Sequence, residues 1–299
     1  MRVVVAGGTG FIGRRLVVRL REMGDEVVVL SRGTGAPGLP PEVRIVPWAK
    51  GTAWESAVDG MDGIVNLVGE NVVQRWTAPA KDRILRSRLD AIAKLSAAID
   101  GAKRRPAVLV SASAVGFYGA HGDEELTEEA APGDDFLART CVAWEGAART
   151  LETLDVRVVR VRIGVVLAKD GGALAKMLPA FRAFAGGPVG SGEQWMSWIH
   201  RDDLVDLTVF ALENPAASGI LNGTAPNPVR NRDFASALGR VLHRPAIVPA
   251  PAAAVRLVFG EMATVILDGQ RVTPKRVLDL GFRFRFPDLD AALHDALAG

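Results

Sequence analysis

The fold is decided near the start of the chain, by Val3-Val4-Val5-Ala6-Gly7-Gly8-Thr9-Gly10-Phe11-Ile12-Gly13. An apolar run typical of a buried strand enters a glycine cluster, and an apolar helical pattern follows it. The spacing of Gly7, Gly10 and Gly13 suits a tight turn, a close approach of the backbone to a pyrophosphate, and close helix–strand packing. The stretch therefore predicts a dinucleotide-binding strand–turn–helix, and the alternative is an ordinary glycine turn.

Composition narrows the class of protein. Of the 299 residues, 48% are hydrophobic and 23% are charged, which is typical of a globular protein. The net charge of +2 is too small to attract nucleic acid or an anionic membrane. No apolar run reaches the roughly 18 residues of a membrane span. A single cysteine, Cys141, excludes an internal disulfide, and the four histidines lack ligand spacing, so we expect no metal site. Because a strand begins at the N-terminus, we expect no signal peptide, and the cytoplasm is the simplest location. We also expect a small-molecule substrate and a monomer or homodimer.

The second predicted strand, residues 26–30, ends in Ser31-Arg32. In a dinucleotide-binding fold an acidic residue at this position accepts hydrogen bonds from the adenosine ribose and favours NAD. Here a hydroxyl and a guanidinium replace it, and arginine suits a phosphate. The pair therefore predicts NADP(H) as cofactor, with a solvated surface pair as the alternative.

Strand and helix patterns alternate along the first half of the chain. Further strands are predicted at 43–48, 63–69, 106–110 and 156–162, and helices at 54–61, 78–101 and 136–154, with a glycine/proline-rich loop at 33–41. This alternation predicts an α/β fold, a Rossmann-type doubly wound parallel sheet. We expect residues 1–165 to form the dinucleotide-binding domain and 166–299 a smaller mixed α/β substrate-binding lobe, with 200–225 returning to the first domain.

Two charged stretches are predicted to face solvent. Alternating arginines in the strand at 156–162 indicate one wetter face, and the acidic run at 123–129 reads as a mobile loop.

The motifs together resemble a family. The chain is similar to the extended short-chain dehydrogenase/reductase superfamily, and more closely to its atypical branch of epimerase family proteins. The residues that carry the resemblance are Gly7 to Gly13, Ser31-Arg32, Asn66 to Asn71, Ser87-Arg88, Trp144-Glu145, Gly171 to Ala173, Gly187 to Gly192, Trp198 to His200, Asp203-Leu204 and Gly269 to Val272.

The resemblance implies NADP(H) binding and a C-terminal lobe that lies over the dinucleotide. The cofactor-binding residues that it implies are Gly7, Thr9, Gly10, Phe11, Ile12, Gly13, Ser31, Arg32, Leu67, Val68, Gly69, Glu70, Arg88 and Val166.

The catalytic pattern of the superfamily is incomplete. Typical members use a serine together with a tyrosine and a lysine four residues apart on one helix. Ser113 matches the serine, but the helix carries Cys141 and Glu145 in place of the pair, and Tyr118 is the only tyrosine. Glutamate cannot supply the positive charge of lysine.

Three candidate catalytic residues follow, each with a structural alternative. Ser113 would orient a carbonyl or only bridge backbone groups, Tyr118 would donate a proton or only pack its ring, and Glu145 would act as a base or only form an ion pair or a ribose contact. For Cys141, a small buried residue is the favoured interpretation over a nucleophile. The chain is thus an NADP(H)-dependent oxidoreductase or nucleotide-sugar epimerase, a sensor that lost catalysis, or a scaffold whose cofactor is structural.

Overall fold

The computed structural model describes residues 1–33, 35, 38–48 and 54–298. Within these residues, seven parallel strands form the central sheet: β1 (Arg2–Ala6), β2 (Glu26–Ser31), β3 (Arg44–Pro47), β4 (Gly63–Asn66), β5 (Val108–Ala114), β7 (Arg157–Ile163) and β11 (Gly219–Gly223). Their order across the sheet is β11-β7-β5-β4-β1-β2-β3. The predicted loop at 33–41 lies partly outside the described residues.

Helices cover both faces of the sheet. The described helices are α1 (Phe11–Glu22), α2 (Ala78–Asp100), α3 (Phe136–Arg149), α4 (Gly172–Arg182), α5 (Arg201–Glu213), α6 (Asn231–Leu242), α7 (Ala252–Phe259), α8 (Ala263–Leu267), α9 (Lys275–Asp279) and α10 (Leu289–Ala298). Val3 and Val5 of β1 pack in one hydrophobic core with α1 and α5, whereas Val4 and Ala6 pack in a second core with α2 and α3. This two-sided burial explains the continuous apolar run of β1. The predicted doubly wound α/β fold is confirmed.

Short strands build the region outside the central sheet. These are β6 (Glu125–Leu126), β8 (Val165–Ala168), β9 (Trp195–Met196), β10 (Trp198–His200), β12 (Val229–Arg230) and β13 (Arg271–Val272). They pair as β10 with β8, β12 with β9, and β13 with β6. A third hydrophobic core joins α4, α6 and α10, and includes Trp198 and Phe234.

Strand order fixes where a ligand site can form. From β1 the chain crosses to β2 on one side, and the later strand β4 pairs with β1 on the other. Such a reversal opens a crevice at the carboxyl ends of the two strands. Among the described helices, none combines the length and hydropathy that crossing a bilayer requires.

Candidate functional site

The turn after β1 closes tightly on its own backbone. Gly7 has a φ of +82°, in the region that side chains other than glycine rarely adopt. The Gly10 N–H donates to the Gly7 carbonyl oxygen at 3.0 Å. A Cβ at Gly13 would lie 2.3 Å from that same oxygen and 2.7 Å from the Gly8 Cα. Gly13 therefore lets α1 pack directly against the turn. The opposite side of the turn is left open toward the crevice.

The start of α1 offers free backbone donors. Gly10 is the N-cap, and within the described residues it has no side-chain cap, while the first turn of α1 carries no acidic residue. The first N–H groups of a helix lack partners inside the helix, and the helix dipole places partial positive charge there. The backbone N–H groups of Phe11, Ile12 and Gly13 thus begin the helix at the crevice, in the arrangement that favours a bound anion.

The residues predicted to read the adenosine end lie together at the ends of β1 and β2. The Thr9 and Ser31 side-chain oxygens are 3.5 Å apart, and the Arg14 Nε donates to the Thr9 carbonyl at 2.8 Å. Ser31 also accepts a hydrogen bond from the Gly33 N–H at 3.4 Å. The Arg32 side chain is exposed. Hydroxyl and guanidinium donors therefore flank the turn where an acidic residue would stand in an NAD site.

The end of β4 forms the second wall of the crevice. A Cβ at Gly7 would lie 3.1 Å from the Leu67 carbonyl carbon, so the Leu67-Val68 backbone lies directly against the glycine turn. The Arg88 guanidinium approaches Gly69, where a Cβ would be 3.0 Å from the Arg88 Cζ.

Arg88 is held in place by neighbouring backbone and by an indole ring. Its Nη1 donates to the carbonyls of Glu70 at 3.2 Å and Ile84 at 2.8 Å, and its Cζ lies 5.0 Å from the centre of the Trp144 ring. Burial lowers the pKa of Arg88. The structure thus places a partly desolvated cation beside Gly69. The electrostatic attraction of such a cation for a phosphate is stronger than that of an exposed lysine or arginine.

Phe11 and Val166 lie where the crevice meets the second part of the chain. Cβ atoms at Gly171 and Gly172 would lie 2.3 Å and 3.1 Å from atoms of the Phe11 ring, so the start of α4 covers that ring closely. The Arg201 Cζ lies 5.3 Å from the ring centre. Val166 is buried on β8.

Ser113 and Glu145 share a buried hydrogen bond. The Ser113 Oγ donates to the Glu145 Oε1 at 2.6 Å, and the two residues are only 3% and 6% exposed. The Arg162 guanidinium binds the same carboxylate with two hydrogen bonds of 2.9 Å, from Nε to Oε1 and from Nη2 to Oε2. Arg162 faces Ser113 because the two are partners in the β5–β7 register.

Tyr118 belongs to the same network and is fully buried. Its hydroxyl accepts from Arg162 Nη1 at 2.9 Å and donates to Asn222 Oδ1 at 2.7 Å. Burial raises the pKa of the phenol, against the opposing effect of Arg162. Asn222 Nδ2 donates to the Thr273 carbonyl at 2.9 Å, so the network reaches the last part of the chain.

Cys141 lies on α3 one turn before Glu145 and is 3% exposed. Burial, together with the charge of Glu145, raises the pKa of the thiol to about 12. A thiol is a poor nucleophile where the thiolate is scarce, so Cys141 cannot replace the missing tyrosine as an ionisable group near neutral pH.

Two sequence-based expectations are corrected here. The strand at 156–162 has no wet face at its end, because Arg162 is 3% exposed and paired with Glu145. The acidic run contains strand β6, and Glu128 accepts from the backbone N–H groups of Asn222 at 3.0 Å and Arg276 at 3.2 Å. Sequence reasoning therefore missed Arg162, Asn222 and Glu128 as site residues. The alternating arginines were the available signal.

In the part of the chain that the structure describes, no group of three or more His, Cys, Asp or Glu side chains could hold an ion. His200 is 3% exposed, accepts from the Asp202 N–H at 3.2 Å and lies 3.3 Å from Asp295 Oδ2. Burial lowers its pKa.

The crevice, the glycine turn and the strand order define a Rossmann-type dinucleotide-binding fold. Comparison with known proteins agrees with this class. Residues 3–222 match the NAD dependent epimerase/dehydratase family, and residues 250–296 match a domain of unknown function, DUF1731. The chain belongs to the NAD dependent epimerase/dehydratase family. The family resemblance seen in the sequence is thereby confirmed.

Particular relatives extend over the whole chain. The "Epimerase family protein SDR39U1 homolog, chloroplastic" of Arabidopsis thaliana is 46% identical, covering 98% of this chain and 86% of the relative. The human "Epimerase family protein SDR39U1" is 41% identical, with 100% of both chains covered. A crystal structure of the human protein (isoform2) with NADPH matches with a TM-score of 0.92 at 39% identity, covering 100% of this chain and 99% of that one.

Proposed function

We propose that the chain binds NADP(H) in the crevice between β1 and β4. The observation that carries the proposal is the glycine turn, which packs so closely on α1 that Gly13 has no room for a Cβ, and which has Ser31 and Arg32 beside it. The helix start at Gly10 would hold the pyrophosphate, with Arg88 as a further cation for its charge. Ser31 and Arg32 would bind the 2′-phosphate. The NADPH named with the human relative's structure supports the same cofactor.

The remaining cofactor contacts that we propose come from residues around the ends of β1 and β4 and from β8. The Leu67-Val68 backbone, Gly69 and Glu70 would lie along the nicotinamide half, and Thr9 along the adenosine half. Phe11, Ile12 and Val166 would close the crevice with apolar surface.

We propose further that residues 1–165, with 200–225, form the dinucleotide-binding unit. Support comes from β11, which pairs with β7 in the central sheet. The rest of 166–299 would form the substrate-binding lobe.

The reaction that we propose is an oxidoreduction or epimerisation of a small molecule, with a nucleotide sugar as the class suggested by the family. A bound nicotinamide would supply hydride transfer. Ser113 is the proposed catalytic residue, because its O–H is donated to Glu145 and its oxygen would accept a hydrogen bond from a substrate hydroxyl. Glu145 would take the proton through Ser113, while Tyr118 supports the network instead of donating a proton itself.

Cofactor binding is tested by titrating the wild type, Ser31→Ala and Arg32→Ala with NADPH and NADH, following nucleotide fluorescence. A hydrogen bond to a charged phosphate contributes about 1.5–3 kcal/mol, so Arg32→Ala should lose roughly 10- to 100-fold in NADPH affinity and little in NADH affinity. Arg44→Ala is the matched control, since Arg44 is an exposed arginine at the start of β3. An unchanged preference for NADPH in Arg32→Ala contradicts the assignment.

Burial of Ser113, Tyr118 and Glu145 favours a second candidate, an NADP(H)-dependent sensor without turnover. The two are separated by following nicotinamide absorbance with aldehydes, ketones, alcohols and sugar nucleotides. Turnover that Ser113→Ala abolishes supports the enzyme. Tight NADPH binding with no turnover across the panel supports the sensor.

A further inference from the structure

One buried arginine contacts two of the side chains predicted for chemistry and lies beside the third. Arg162 binds Glu145 through two hydrogen bonds and Tyr118 through a third, and it is the register partner of Ser113. Its Cζ lies 3.3 Å from the centre of the Phe117 ring, so an aromatic face covers one side of the guanidinium.

Charge balance explains why an arginine is needed here. The helix position that carries a lysine in typical superfamily members carries Glu145, which introduces a negative charge at a site that is 6% exposed. A buried carboxylate persists only with a well-placed cation and saturated hydrogen bonds. Arg162 supplies both, and its planar fork matches the two carboxylate oxygens in a way that lysine cannot.

The direction of the Ser113 hydrogen bond follows from this pairing. With Glu145 held as a carboxylate, its Oε1 can only accept, so the Ser113 proton points to it at 2.6 Å. Ser113 is then left as an acceptor. A substrate group that contacts it must be a donor, a hydroxyl and not a carbonyl.

We propose that Arg162 is the positioning residue of this site: from β7 it replaces the missing lysine, holds Glu145 and Tyr118, and thereby presents Ser113 to a substrate hydroxyl. The step from Ser113 to a substrate rests on the proposed function. The hold of Arg162 on Tyr118 and Glu145 is a property of the chain alone and is testable alone.

The sequence offers a direct probe, because Tyr118 is the only tyrosine. Protein labelled with ¹³Cζ-tyrosine gives a single NMR signal whose shift follows ionisation of that phenol. Two charged groups act on the pKa of Tyr118: Arg162 on β7 lowers it, and Glu128 in the loop after β6 raises it. Glu145 on α3 acts through Arg162.

We expect Arg162→Met to lower the ionisation constant of Tyr118 at least tenfold, because the cation that favours the phenolate is lost. Arg162→Lys should restore most of the difference. Arg160→Met is the matched control: Arg160 lies on the same strand and pairs with Glu152 at 3.6 Å, so its loss should leave the Tyr118 signal unchanged. Circular dichroism at each pH verifies that the chain stays folded.

Arg162→Met leaves Glu145 buried without its cation and is at risk of not folding. The double variant Arg162→Met/Glu145→Gln removes both charges and keeps the experiment decisive. If either folded variant lacking Arg162 ionises Tyr118 as the wild type does, Arg162 does not hold this site and the proposal fails.

Turnover separates the two proposals. With NADP⁺ and a panel of cyclohexanol, 2-butanol and UDP-glucose as probes, Arg162→Met should lose at least 100-fold in kcat, keep its NADP⁺ affinity within threefold, and recover in part in Arg162→Lys. A wild type without turnover defeats the enzymatic function, while the tyrosine titration still decides the role of Arg162. Full turnover in a folded Arg162→Met variant defeats the positioning role.

Discussion

Gly13→Ala adds one methyl group at the closest backbone contact of the molecule's proposed cofactor site. The new Cβ would lie 2.3 Å from the Gly7 carbonyl oxygen and 2.7 Å from the Gly8 Cα. An ordinary contact needs at least 3.4 Å, so α1 and the turn must separate by about 1 Å. Overpacking of this kind costs roughly 1–3 kcal/mol, and the better helix propensity of alanine returns about 1 kcal/mol.

We therefore expect Gly13→Ala to lose up to about 2 kcal/mol of stability, or up to roughly 4 °C in Tm for a chain of this size. The effect on NADPH should be larger. Moving the turn away from the pyrophosphate removes about one charge-assisted hydrogen bond, so affinity should fall roughly 10- to 100-fold.

Thermal unfolding and NADPH fluorescence titration measure the two effects, and Gly146→Ala is the matched control. Gly146 lies on α3, and a Cβ there would meet no atom within 4 Å. This variant should gain about 0.5–1 kcal/mol and bind NADPH as the wild type does. If Gly13→Ala keeps both the Tm and the affinity of the wild type, the close packing at the turn is not what builds the site.

Three further predictions concern the buried groups. Glu145→Gln strips Arg162 of its carboxylate and should cost about 3–5 kcal/mol in urea unfolding, most of it recovered when Arg162→Met is added; additive losses would contradict the pairing. Cys141, with its thiol pKa raised to about 12, should react with a thiol reagent at pH 8 at least 100-fold more slowly in the native chain than in urea, and fast native labelling would disprove its burial. Burial lowers the pKa of His200, so the unfolded chain takes up a proton first and stability should fall below about pH 6.5, by up to about 1.4 kcal/mol per pH unit. The free energy of unfolding of the wild type minus that of His200→Gln, from urea titrations at each pH, should show this slope. Parallel pH profiles of the two proteins would refute it.

Local patterns predicted the sheet because its determinants are local. The apolar run of β1 is buried on both faces. Gly13 is required by contacts with the backbone of Gly7 and Gly8 in the same turn, and Gly7 by its own φ of +82°. Boundaries were less secure. The helix predicted to end at 154 ends at Arg149 and continues as a 3₁₀ turn, which stops at Asp155 in the left-handed region with a φ of +60°.

The centre of the candidate site could not be predicted in the same way, because strand pairing creates it. Ser113 meets Arg162 only through the β5–β7 register, and Asn222 reaches Tyr118 only because β11 joins the same sheet. Alternating arginines give the same sequence pattern whether they face solvent at the sheet surface or neutralise buried partners. Glu145 at the lysine position was the visible clue that a cation had to come from elsewhere.

Binding of the 2′-phosphate at the ends of β1 and β2 is what distinguishes an NADP(H) site from an NAD(H) site in this chain. Isothermal titration of the wild type with NADPH and with NADH measures that binding directly. The structure predicts that NADPH binds at least tenfold more tightly, through Ser31 and Arg32. Equal affinities, or no binding of either nucleotide, would contradict it.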